Sequence, residues 1–556
     1  MKKDLTDADF SMGSPEAWDP IERDKLEHRF LPISQYTHIA DNEKIFLCGR
    51  RGSGKSTIAL MLEKVKNYKY TEAVQGEVVE YGSYMDVVRE VCRKQQEGKD
   101  IDVKKSIRRL WMWVLPVKVM QTVLKQTIER GDSLDKDLET IKQYLNSLPE
   151  PLHEESSIGH LLTNIFHIAN EKLDEGEEIY NTYLLNLSHD KGYRAALNAL
   201  HRRTHQNPVL LILDTLESYR IFETPMIEGL KGILEAINAL RGERKLEFIS
   251  LKFFMPAEIY DTVFLGFPGK VQSSAVFLRW SSPNLITMLA RRYLDILVRT
   301  EAISNDEVVR LEQEVKQAYL HNDGRHLRGQ FWYSTRFLPE TLPNKMGRPE
   351  DCFAYMFRHT QRRPRDVLAQ MQAIITEARK RNEFPYISKD SVAAGVHNPQ
   401  ALLQILGDAL TPYEGSLPIQ LVDGARSVFY KRPRIMAGSE LKQFAKELYN
   451  LHPIANVDLD EFVSALVKCG VIGLLGERIR QGQEKGQQDK TSSPYRKAQF
   501  EYVRQGNLVV AARSDYCVHP VMGDAFNMLS PNDGLAIYPY PDEQEGTWLE
   551  EAAGIR

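Results

Sequence analysis

Residues 49–56 read Gly-Arg-Arg-Gly-Ser-Gly-Lys-Ser and match the pattern G-x-x-x-x-G-K-[ST], which limits the fold of the surrounding chain more than any other segment. The apolar residues 45–48 precede this segment and residues 57–60 follow it, so the sequence predicts a strand, a tight turn and a helix in that order. Glycines let the turn fold around an anion, and the helix presents the positive end of its dipole to that anion. An ordinary glycine-rich turn between strand and helix is the alternative.

The pattern predicts a site for a nucleoside triphosphate and Mg²⁺. In such a loop Lys55 would reach the β- and γ-phosphates, and Ser56 would ligate Mg²⁺. The predicted nucleotide-binding residues are Gly49, Arg50, Arg51, Gly52, Ser53, Gly54, Lys55, Ser56 and Thr57.

A second part of the same site is predicted at residues 209–214, which read Val-Leu-Leu-Ile-Leu-Asp after the breaker Asn207-Pro208. A continuous apolar run of this kind is typical of a parallel strand covered on both faces. Asp214, at the carboxyl end of that strand, would lie where open α/β sheets hold ligands, and would help Ser56 to hold Mg²⁺. An apolar strand that ends in Asp also occurs for structural reasons, but its pairing with Lys55 favours a role in the nucleotide site.

The two parts of this site lie about 160 positions apart, which is more than a compact nucleotide-binding fold needs and predicts an insertion. The inserted residues 86–206 are mainly helical in pattern, and their most apolar piece is residues 110–115. Trp111 and Trp113 in this piece need cover, either in the domain's own core, which we favour, or against a partner.

The chain as a whole is predicted to be an α/β protein. Strands at 248–254 and 275–278 alternate with helices at 226–240 and 284–298, which indicates a parallel sheet built from βαβ units. Ahead of the loop, residues 30–33 with Tyr36 form an apolar cluster that either covers the adenine or packs on the core as an N-terminal strand. The expected domains are an N-terminal segment (1–43), a P-loop NTPase core (44–85 and 207–283), a helical insertion (86–206), a helical lid (284–397), a winged-helix-like domain (398–535) and an acidic tail (536–556).

The winged-helix prediction rests on the order of elements near the end of the chain. Helices at 438–449 and 457–468 precede a strand at 469–475, a polar loop at 476–495 and strands at 499–503 and 507–512. Basic residues cluster in or beside the polar loop, namely Arg478, Arg480, Lys485, Lys490, Arg496 and Lys497. Three acidic residues, Glu477, Glu484 and Asp489, dilute this patch, so contact with DNA and a solvated linker both stay open.

Composition excludes several classes of protein. The chain has 556 residues, 27% of them charged, and a net charge of only -4, so no whole-chain field draws it to nucleic acid or to a membrane. No apolar run reaches the roughly 18 to 20 residues that cross a bilayer, and we expect a cytosolic protein with no membrane partner. The five cysteines are widely scattered without a C-x-x-C pair, so we expect them to be reduced and mostly structural.

Taken together, the loop at 49–56, the strand acid Asp214, the Arg-Pro-Arg-Asp segment at 363–366 and the terminal helix and strand order resemble bacterial AAA-superfamily P-loop ATPases. Within these, the chain is most similar to the STAND and origin-recognition-like branches, over roughly residues 30–530. The resemblance implies ATP instead of GTP, assembly into a homo-oligomer or with an effector protein, and a bacterial setting such as defence against mobile DNA.

The resemblance also implies roles for residues outside the loop. A basic residue of the lid would sense the γ-phosphate, with Arg363 and Arg365 as candidates, although Asp366 and solvent could simply hold an arginine-rich helix start. Many family members place Glu directly after the strand Asp to orient the attacking water. This chain has Thr215 there, and its nearest acid, Glu217, lies two positions beyond the expected one. The possible trans arginines are Arg279, Arg291 and Arg292.

Three functions follow as hypotheses. The leading one is an ATP-driven molecular switch in which nucleotide binding changes the position of the lid or of the winged helix. The alternatives are a DNA-binding loader or initiator-like ATPase, and a nucleotide-stabilised scaffold that does not turn over.

Overall fold

The structure is a computed structural model that describes most of the chain in two compact units. The sheet unit comprises Ser34–Gly49 and Lys55–Leu278, and the C-terminal unit comprises Met1–Ile33, Arg50–Gly54 and Arg279–Arg556. The described residues are 5–14, 19–64, 68–75, 78–149, 157–214, 224–242, 249–264, 266–344, 347–413, 429–451, 458–478, 495–500, 511, 514–531 and 535–539.

The N-terminal residues divide between the two units. Helix α1 (Pro20–Arg29) belongs to the C-terminal unit, as does a 3₁₀ turn at Asp7–Phe10, whereas helix α2 (Ser34–Ala40) belongs to the sheet unit. Residues 30–33 between the two helices are mostly buried but form no strand, so the expectation of an N-terminal strand is wrong.

Five parallel strands form the sheet of the sheet unit, in the order β2-β3-β4-β1-β5. Their bounds are Phe46–Gly49 (β1), Tyr70–Gln75 (β2), Val209–Asp214 (β3), Ile249–Pro256 (β4) and Ala275–Phe277 (β5). Helix α3 (Lys55–Glu63) follows β1 across the glycine-rich loop. The α/β class and the parallel sheet are therefore confirmed, and β2 is an edge strand that the sequence did not predict.

Six helices lie between β2 and β3: α4 (Val78–Gln96), α5 (Val103–Glu129), α6 (Lys136–Ser147), α7 (Ile158–Glu175), α8 (Glu177–Asn186) and α9 (Lys191–Gln206). Trp111 and Trp113 are buried in the core of this unit, and the Trp113 Nε1 donates a hydrogen bond to the Tyr144 hydroxyl at 2.9 Å. The expected core packing of both indoles is confirmed.

Three further helices complete the sheet unit: α10 (Thr224–Gly242), α11 (Tyr260–Phe264) and α12 (Gly269–Gln272). Gly232 of α10 lets this helix approach α5 closely, because a Cβ at Gly232 would lie 2.6 Å from the Ile107 side chain. The inserted helices and the sheet therefore share one apolar core.

The C-terminal unit begins with a helical layer. Its helices are α13 (Ser282–Arg299), α14 (Asn305–His321), α15 (Gly324–Leu327), α16 (Cys352–Arg358), α17 (Pro364–Lys380), α18 (Lys389–Val396) and α19 (Pro399–Leu410). A π-helical turn at Arg328–Ser334 and the antiparallel pair β6 (Thr341–Pro343) and β7 (Pro349–Asp351) interrupt this layer. The predicted region 284–397 is thus mainly helical, with a small hairpin that the sequence did not predict.

A second sheet of five strands lies near the end of the chain, in the order β12-β10-β9-β11-β8. Its elements are β8 (Ile435–Ala437), helices α20 (Gly438–Leu451) and α21 (Leu459–Lys468), β9 (Ile472–Arg478), β10 (Tyr495–Gln499), β11 (Asp515–Val518), helix α22 (Pro520–Ala525) and β12 (Ala536–Pro539). Two helices followed by β9 and β10 are present in the predicted order, and residues 479–494 between these strands lie outside the described residues.

Two boundaries in this region differ from the sequence prediction. Strand β10 begins at Tyr495, which the sequence placed in the polar loop, because Tyr495 is fully buried and its hydroxyl accepts the Asp351 amide. Residues 536–539, predicted as the start of the tail, instead form β12 beside β10. The expected strand at 507–512 lies almost wholly outside the described residues, and the rest of the tail lies entirely outside them.

All five cysteines are free thiols, as expected, and four of them are buried. Within the part of the chain that the structure describes, no helix combines the length and the apolar run needed to span a bilayer.

Candidate functional site: the glycine-rich loop

The loop between β1 and α3 takes a backbone conformation that requires glycine at two places. Gly52 has φ +77° and Gly54 has φ +95°. Both values lie in the left-handed region, which residues with a Cβ rarely adopt. The two glycines of the sequence motif are therefore needed for the path of the chain.

Trp280 holds the middle of this loop. Its Nε1 donates a hydrogen bond to the Ser53 carbonyl oxygen at 2.8 Å, while the Ser53 amide donates to the Arg50 carbonyl at 3.0 Å. The C=O and N–H groups of a planar trans peptide point in opposite directions. The Gly54 amide, which shares a peptide with the Ser53 carbonyl, therefore points away from Trp280.

Arg363 lies against the same loop and is fixed by protein groups. Its guanidinium forms a buried pair with Asp366, at 2.9 Å from Nε and 2.8 Å from Nη2. It also donates to the carbonyl oxygens of Arg51 (3.3 Å), Ile405 (3.3 Å) and Asp408 (3.2 Å). These contacts use the full donor capacity of a guanidinium.

Arg365 contacts the loop differently. Its backbone amide donates to the Gly52 carbonyl at 3.3 Å, and its own Cβ lies 3.0 Å from the place that a Cβ on Gly52 would occupy. Its Nη1 lies 3.4 and 3.5 Å from the two carboxylate oxygens of Asp408. Arg51 Nε reaches the same carboxylate at 3.4 Å. One carboxylate thus faces two arginines, at distances that are long for charge-assisted hydrogen bonds.

In the sheet unit, Lys55 is the first residue of α3 and its side chain is buried. Its Nζ donates to the Gly49 carbonyl oxygen at 2.7 Å, which holds the ammonium group beside the end of β1. Ser56 and Thr57 follow in the first turn of α3 and are half-buried. The first turn of a helix carries amides that its own backbone does not satisfy, and they favour an anion.

Asp214 is the last residue of β3, as Gly49 is of β1, so both lie at the carboxyl ends of the parallel strands. Strand β4 lies between β3 and β1, with Phe254 opposite Asp214 and Pro256 opposite Gly49. Since neighbouring strands lie about 4.8 Å apart, two strand spacings place β3 about 10 Å from β1. Asp214 itself is 8% exposed.

Two carboxylates are candidates for the predicted role of orienting water. Glu217 lies outside the described residues. Glu258, which the sequence analysis missed, follows the carboxyl end of β4 and is half-buried in a 3₁₀ turn. Because β4 lies between β1 and β3 and runs parallel to them, Glu258 lies at the carboxyl ends of the strands, as do Lys55 and Asp214. An apolar strand followed two residues later by an acid was the only signal in the sequence.

Two of the three possible trans arginines contact the N-terminal segment. Arg291 Nε donates to the His28 carbonyl at 2.7 Å, and Arg292 Nη1 donates to the Met12 carbonyl at 2.6 Å. Both therefore hold the N-terminal segment in the C-terminal unit. Arg279 is exposed.

The predicted basic patch is described only in part. Arg480, Lys485 and Lys490 lie outside the described residues, as does the side chain of Arg478. Arg496 and Lys497 are successive residues of β10, so they point to opposite faces of the sheet. These two residues therefore do not form one continuous basic surface.

A buried polar cluster in the C-terminal unit offers three potential metal ligands. Ligand atoms of His359, His397 and Asp524 lie within 4.8 Å of one another. Asp524 also pairs with Arg434, and Arg358 Nη1 lies 3.1 Å from His359 Nε2. Two guanidinium groups thus already face this cluster, so it is better described as an ion-pair network than as a site for a divalent cation.

Two buried titratable groups of the sheet unit have structural roles. Burial raises the pKa of the Cys48 thiol, which stays protonated and is a poor nucleophile. Burial lowers the pKa of Lys252 to about 8, and its Nζ donates to the carbonyl oxygens of Asp41 (2.6 Å) and Lys44 (2.7 Å). Lys252 lies in the middle of β4, opposite Ile212 and one residue before Phe253, which pairs with the start of β1.

Comparison of the sequence with protein-family models gave no match, and a search of curated protein sequences found no match either. The site must therefore be interpreted from its own chemistry.

Proposed function

We propose that this chain is an ATP-binding molecular switch, with residues 49–56 as the phosphate-binding segment. One observation carries the proposal: the carbonyl groups of Arg51 and Ser53 accept hydrogen bonds from Arg363 and Trp280. The amides of the same two peptides, those of Gly52 and Gly54, therefore point away from these side chains. Oriented backbone amides ahead of a helix start form an anion site.

The residues present also fit Mg²⁺ and a triphosphate. The Ser56 hydroxyl and the Asp214 carboxylate are oxygen ligands of the kind that Mg²⁺ takes, directly or through water. The cation would neutralise phosphate charge as the terminal phosphoryl group is transferred. Lys55, whose Nζ donates to the Gly49 carbonyl, would exchange that partner for the phosphates.

The switch part of the proposal follows from which residues hold the loop. Residues 50–54 belong to the C-terminal unit, whereas Gly49 and Lys55 on either side of them belong to the sheet unit. An anion bound by the Gly52 and Gly54 amides would therefore act on the two peptides that Arg363 and Trp280 contact, and Arg365 contacts the peptide between them. We infer that nucleotide occupancy is transmitted through these three residues into α17 and the elements that follow it.

Hydrolysis is proposed with Glu258 as the carboxylate that orients water, because β4 lies between the strands of Lys55 and Asp214. Glu258 follows the end of β4, whereas Glu217 lies outside the described residues. Removing a positioned general base typically lowers the rate by 10²- to 10⁴-fold. A Glu258→Gln variant should bind Mg·ATP normally and hydrolyse it at least about a hundredfold more slowly, whereas Glu217→Gln should have little effect.

The experiment measures Mg·ATP binding and phosphate release by wild type, Lys55→Ala, Glu258→Gln and Glu217→Gln. The molecular mass of each protein, with and without nucleotide, is followed by light scattering. Lys55-dependent binding with a change of mass would support a switch that assembles with itself or with an effector. Turnover stimulated by duplex DNA, and lost in an Arg496→Gln and Lys497→Gln double variant, would favour a DNA-dependent loader instead. Equal nucleotide binding by wild type and Lys55→Ala would contradict the proposal.

A further inference from the structure

Asp408 is the carboxylate that faces both arginines of the glycine-rich loop region. It lies in the last turn of α19, its side chain is 12% exposed, and it pairs with Arg51 and Arg365 at 3.4 Å each. Neither the sequence motif nor the proposed nucleotide site accounts for an acid at this place. A carboxylate beside a phosphate-binding loop opposes the binding of an anion.

The two pairs made by Asp408 differ in kind from the neighbouring Arg363 and Asp366 pair. That pair is buried, with contacts of 2.8 and 2.9 Å to both carboxylate oxygens. The pairs of Asp408 are longer and more exposed to water, so less free energy is lost when their partner changes. The Arg363 guanidinium therefore keeps Asp366 as its partner, whereas Arg51 and Arg365 can exchange Asp408 for another anion.

Phosphate is the natural competitor for such arginines. A guanidinium binds a phosphate group through two parallel N–H donors, as it binds a carboxylate. Arg365 Nε lies 3.5 Å from the place that a Cβ on Gly52 would occupy, so this side chain runs directly along the loop. An anion held by the loop amides is therefore within the region that Arg365 can reach by a rotamer change.

We propose that Asp408 is a gating residue, which holds Arg51 and Arg365 until a triphosphate displaces it. This inference rests on the proposed function of the loop. A diphosphate bound by the same amides supplies less charge and leaves the carboxylate in place, so release of the two arginines depends on the third phosphate and costs affinity for the triphosphate alone. Release of Asp408 also removes the two ion pairs between α19 and the arginines, so that Arg363 alone, of these three arginines, still connects the end of α19 to the loop.

The fold of α19 does not depend on the Asp408 carboxylate. Arg363 donates to the backbone carbonyls of Ile405 and Asp408, near the C-terminal end of the helix, where a cation is favoured by the helix dipole. Replacement of Asp408 by asparagine keeps the volume of the side chain and these backbone contacts. The Asp408→Asn variant is therefore expected to fold.

The test is the affinity for Mg·ATP and Mg·ADP of wild type, Asp408→Asn and the charge-conserving Asp408→Glu, measured by titration calorimetry. Asp408→Asn should bind Mg·ATP about tenfold more tightly than wild type, within the usual range of coupling between sites. Its affinity for Mg·ADP should change by no more than about threefold, and Asp408→Glu should resemble wild type. In an Arg365→Gln background the effect of Asp408→Asn on ATP should shrink to about twofold or less.

Hydrogen exchange supplies a second readout that a purely structural role would not change. Mg·ATP should increase exchange of the α19 amides in wild type and leave it unchanged in Asp408→Asn. An unchanged ratio of ATP to ADP affinity in Asp408→Asn would overturn the proposal while leaving ATP binding itself intact. Absence of Lys55-dependent ATP binding in wild type would instead overturn the proposed function, and with it this inference.

Discussion

The indole Nε1 of Trp280 donates a hydrogen bond to the carbonyl oxygen of Ser53 at 2.8 Å, across 227 positions of sequence. This bond fixes the peptide whose amide belongs to Gly54. Trp280 lies directly before α13, so the first helix after the parallel sheet is tied to the middle of the glycine-rich loop. The loop is therefore shaped from outside as well as by its glycines.

Replacing Trp280 by phenylalanine should weaken nucleotide binding through loss of this one bond. A hydrogen bond of this type contributes about 1 kcal/mol, so we expect Mg·ATP affinity to fall about fivefold. The matched control is Trp113→Phe, which removes the bond to Tyr144 in the inserted helices. Trp113→Phe should also lower the free energy of unfolding by about 1 kcal/mol, but it should leave the affinity for Mg·ATP unchanged. Equal affinities of Trp280→Phe and wild type would argue against a positioning role.

Gly52→Ala should abolish nucleotide binding. The left-handed φ of +77° costs a residue with a Cβ about 1–2 kcal/mol, and the new Cβ would meet the Arg365 Cβ at 3.0 Å. Gly98→Ala is the control, because Gly98 has φ +90° and no atom within 4 Å of an added Cβ. Both variants should lose comparable stability in thermal unfolding. Binding retained by Gly52→Ala would mean that the loop does not hold the phosphates.

Arg363 and Arg365 should behave differently when each is replaced by glutamine. Arg363→Gln leaves Asp366 buried without its cation, which costs about 3–5 kcal/mol of stability. Arg365→Gln removes only a loose, partly exposed pair and should cost less than about 1 kcal/mol. Nucleotide affinity of the folded protein should fall in Arg365→Gln. Chemical denaturation and calorimetric titration of both variants would separate the two effects, and the reverse pattern would contradict these assignments.

His519 predicts a loss of stability in mild acid. It is fully buried, and its Nδ1 accepts the Val521 amide at 3.3 Å, which requires an unprotonated nitrogen. Burial, reinforced by nearby cationic side chains, holds the pKa of His519 well below its usual value. In the unfolded chain a histidine takes up its proton near pH 6.5, so below that pH the unfolded state binds a proton that the native state does not.

Proton uptake by His519 in the unfolded chain therefore lowers the free energy of unfolding as the pH decreases. One such proton costs about 1.4 kcal/mol per pH unit, or about 2 kcal/mol between pH 6.5 and pH 5. His519→Asn keeps a side chain that caps α22 and removes the titration, so its stability should depend less steeply on pH. The exposed His167→Asn is the control and should keep the wild-type slope. A His519→Asn slope equal to that of wild type, from unfolding curves between pH 5 and 7, would refute the assignment.

Sequence reasoning predicted the parts of the fold that depend on local patterns. The bounds of β3 agree at both ends, because an apolar run of five residues between Pro208 and Asp214 fits little except a buried strand. The inserted helices were predicted from their periodicity. Strand β2 was missed because Tyr70–Gln75 is a short and partly polar edge strand, which carries a weak signal.

The candidate site was predicted only where its residues are neighbours in sequence. Gly49 to Ser56 form one motif, so the loop could be found without a structure. Trp280 and Asp408 act on the loop from positions that are distant in sequence, and no local pattern marks an indole or a carboxylate as a partner of a particular carbonyl or guanidinium. The different roles of Arg363 and Arg365 likewise depend on tertiary contacts that spacing alone does not determine.

The most direct measurement is a calorimetric titration of Mg·ATP into wild type, Lys55→Ala and Lys64→Ala. Lys55 begins α3 and Lys64, exposed, follows its end, so the two variants remove the same charge at opposite ends of one helix. We predict that wild type and Lys64→Ala bind Mg·ATP with similar affinity and that Lys55→Ala binds at least about a hundredfold more weakly, since a buried charge-assisted contact is lost. Equal binding by all three proteins, or binding by none, would contradict the account.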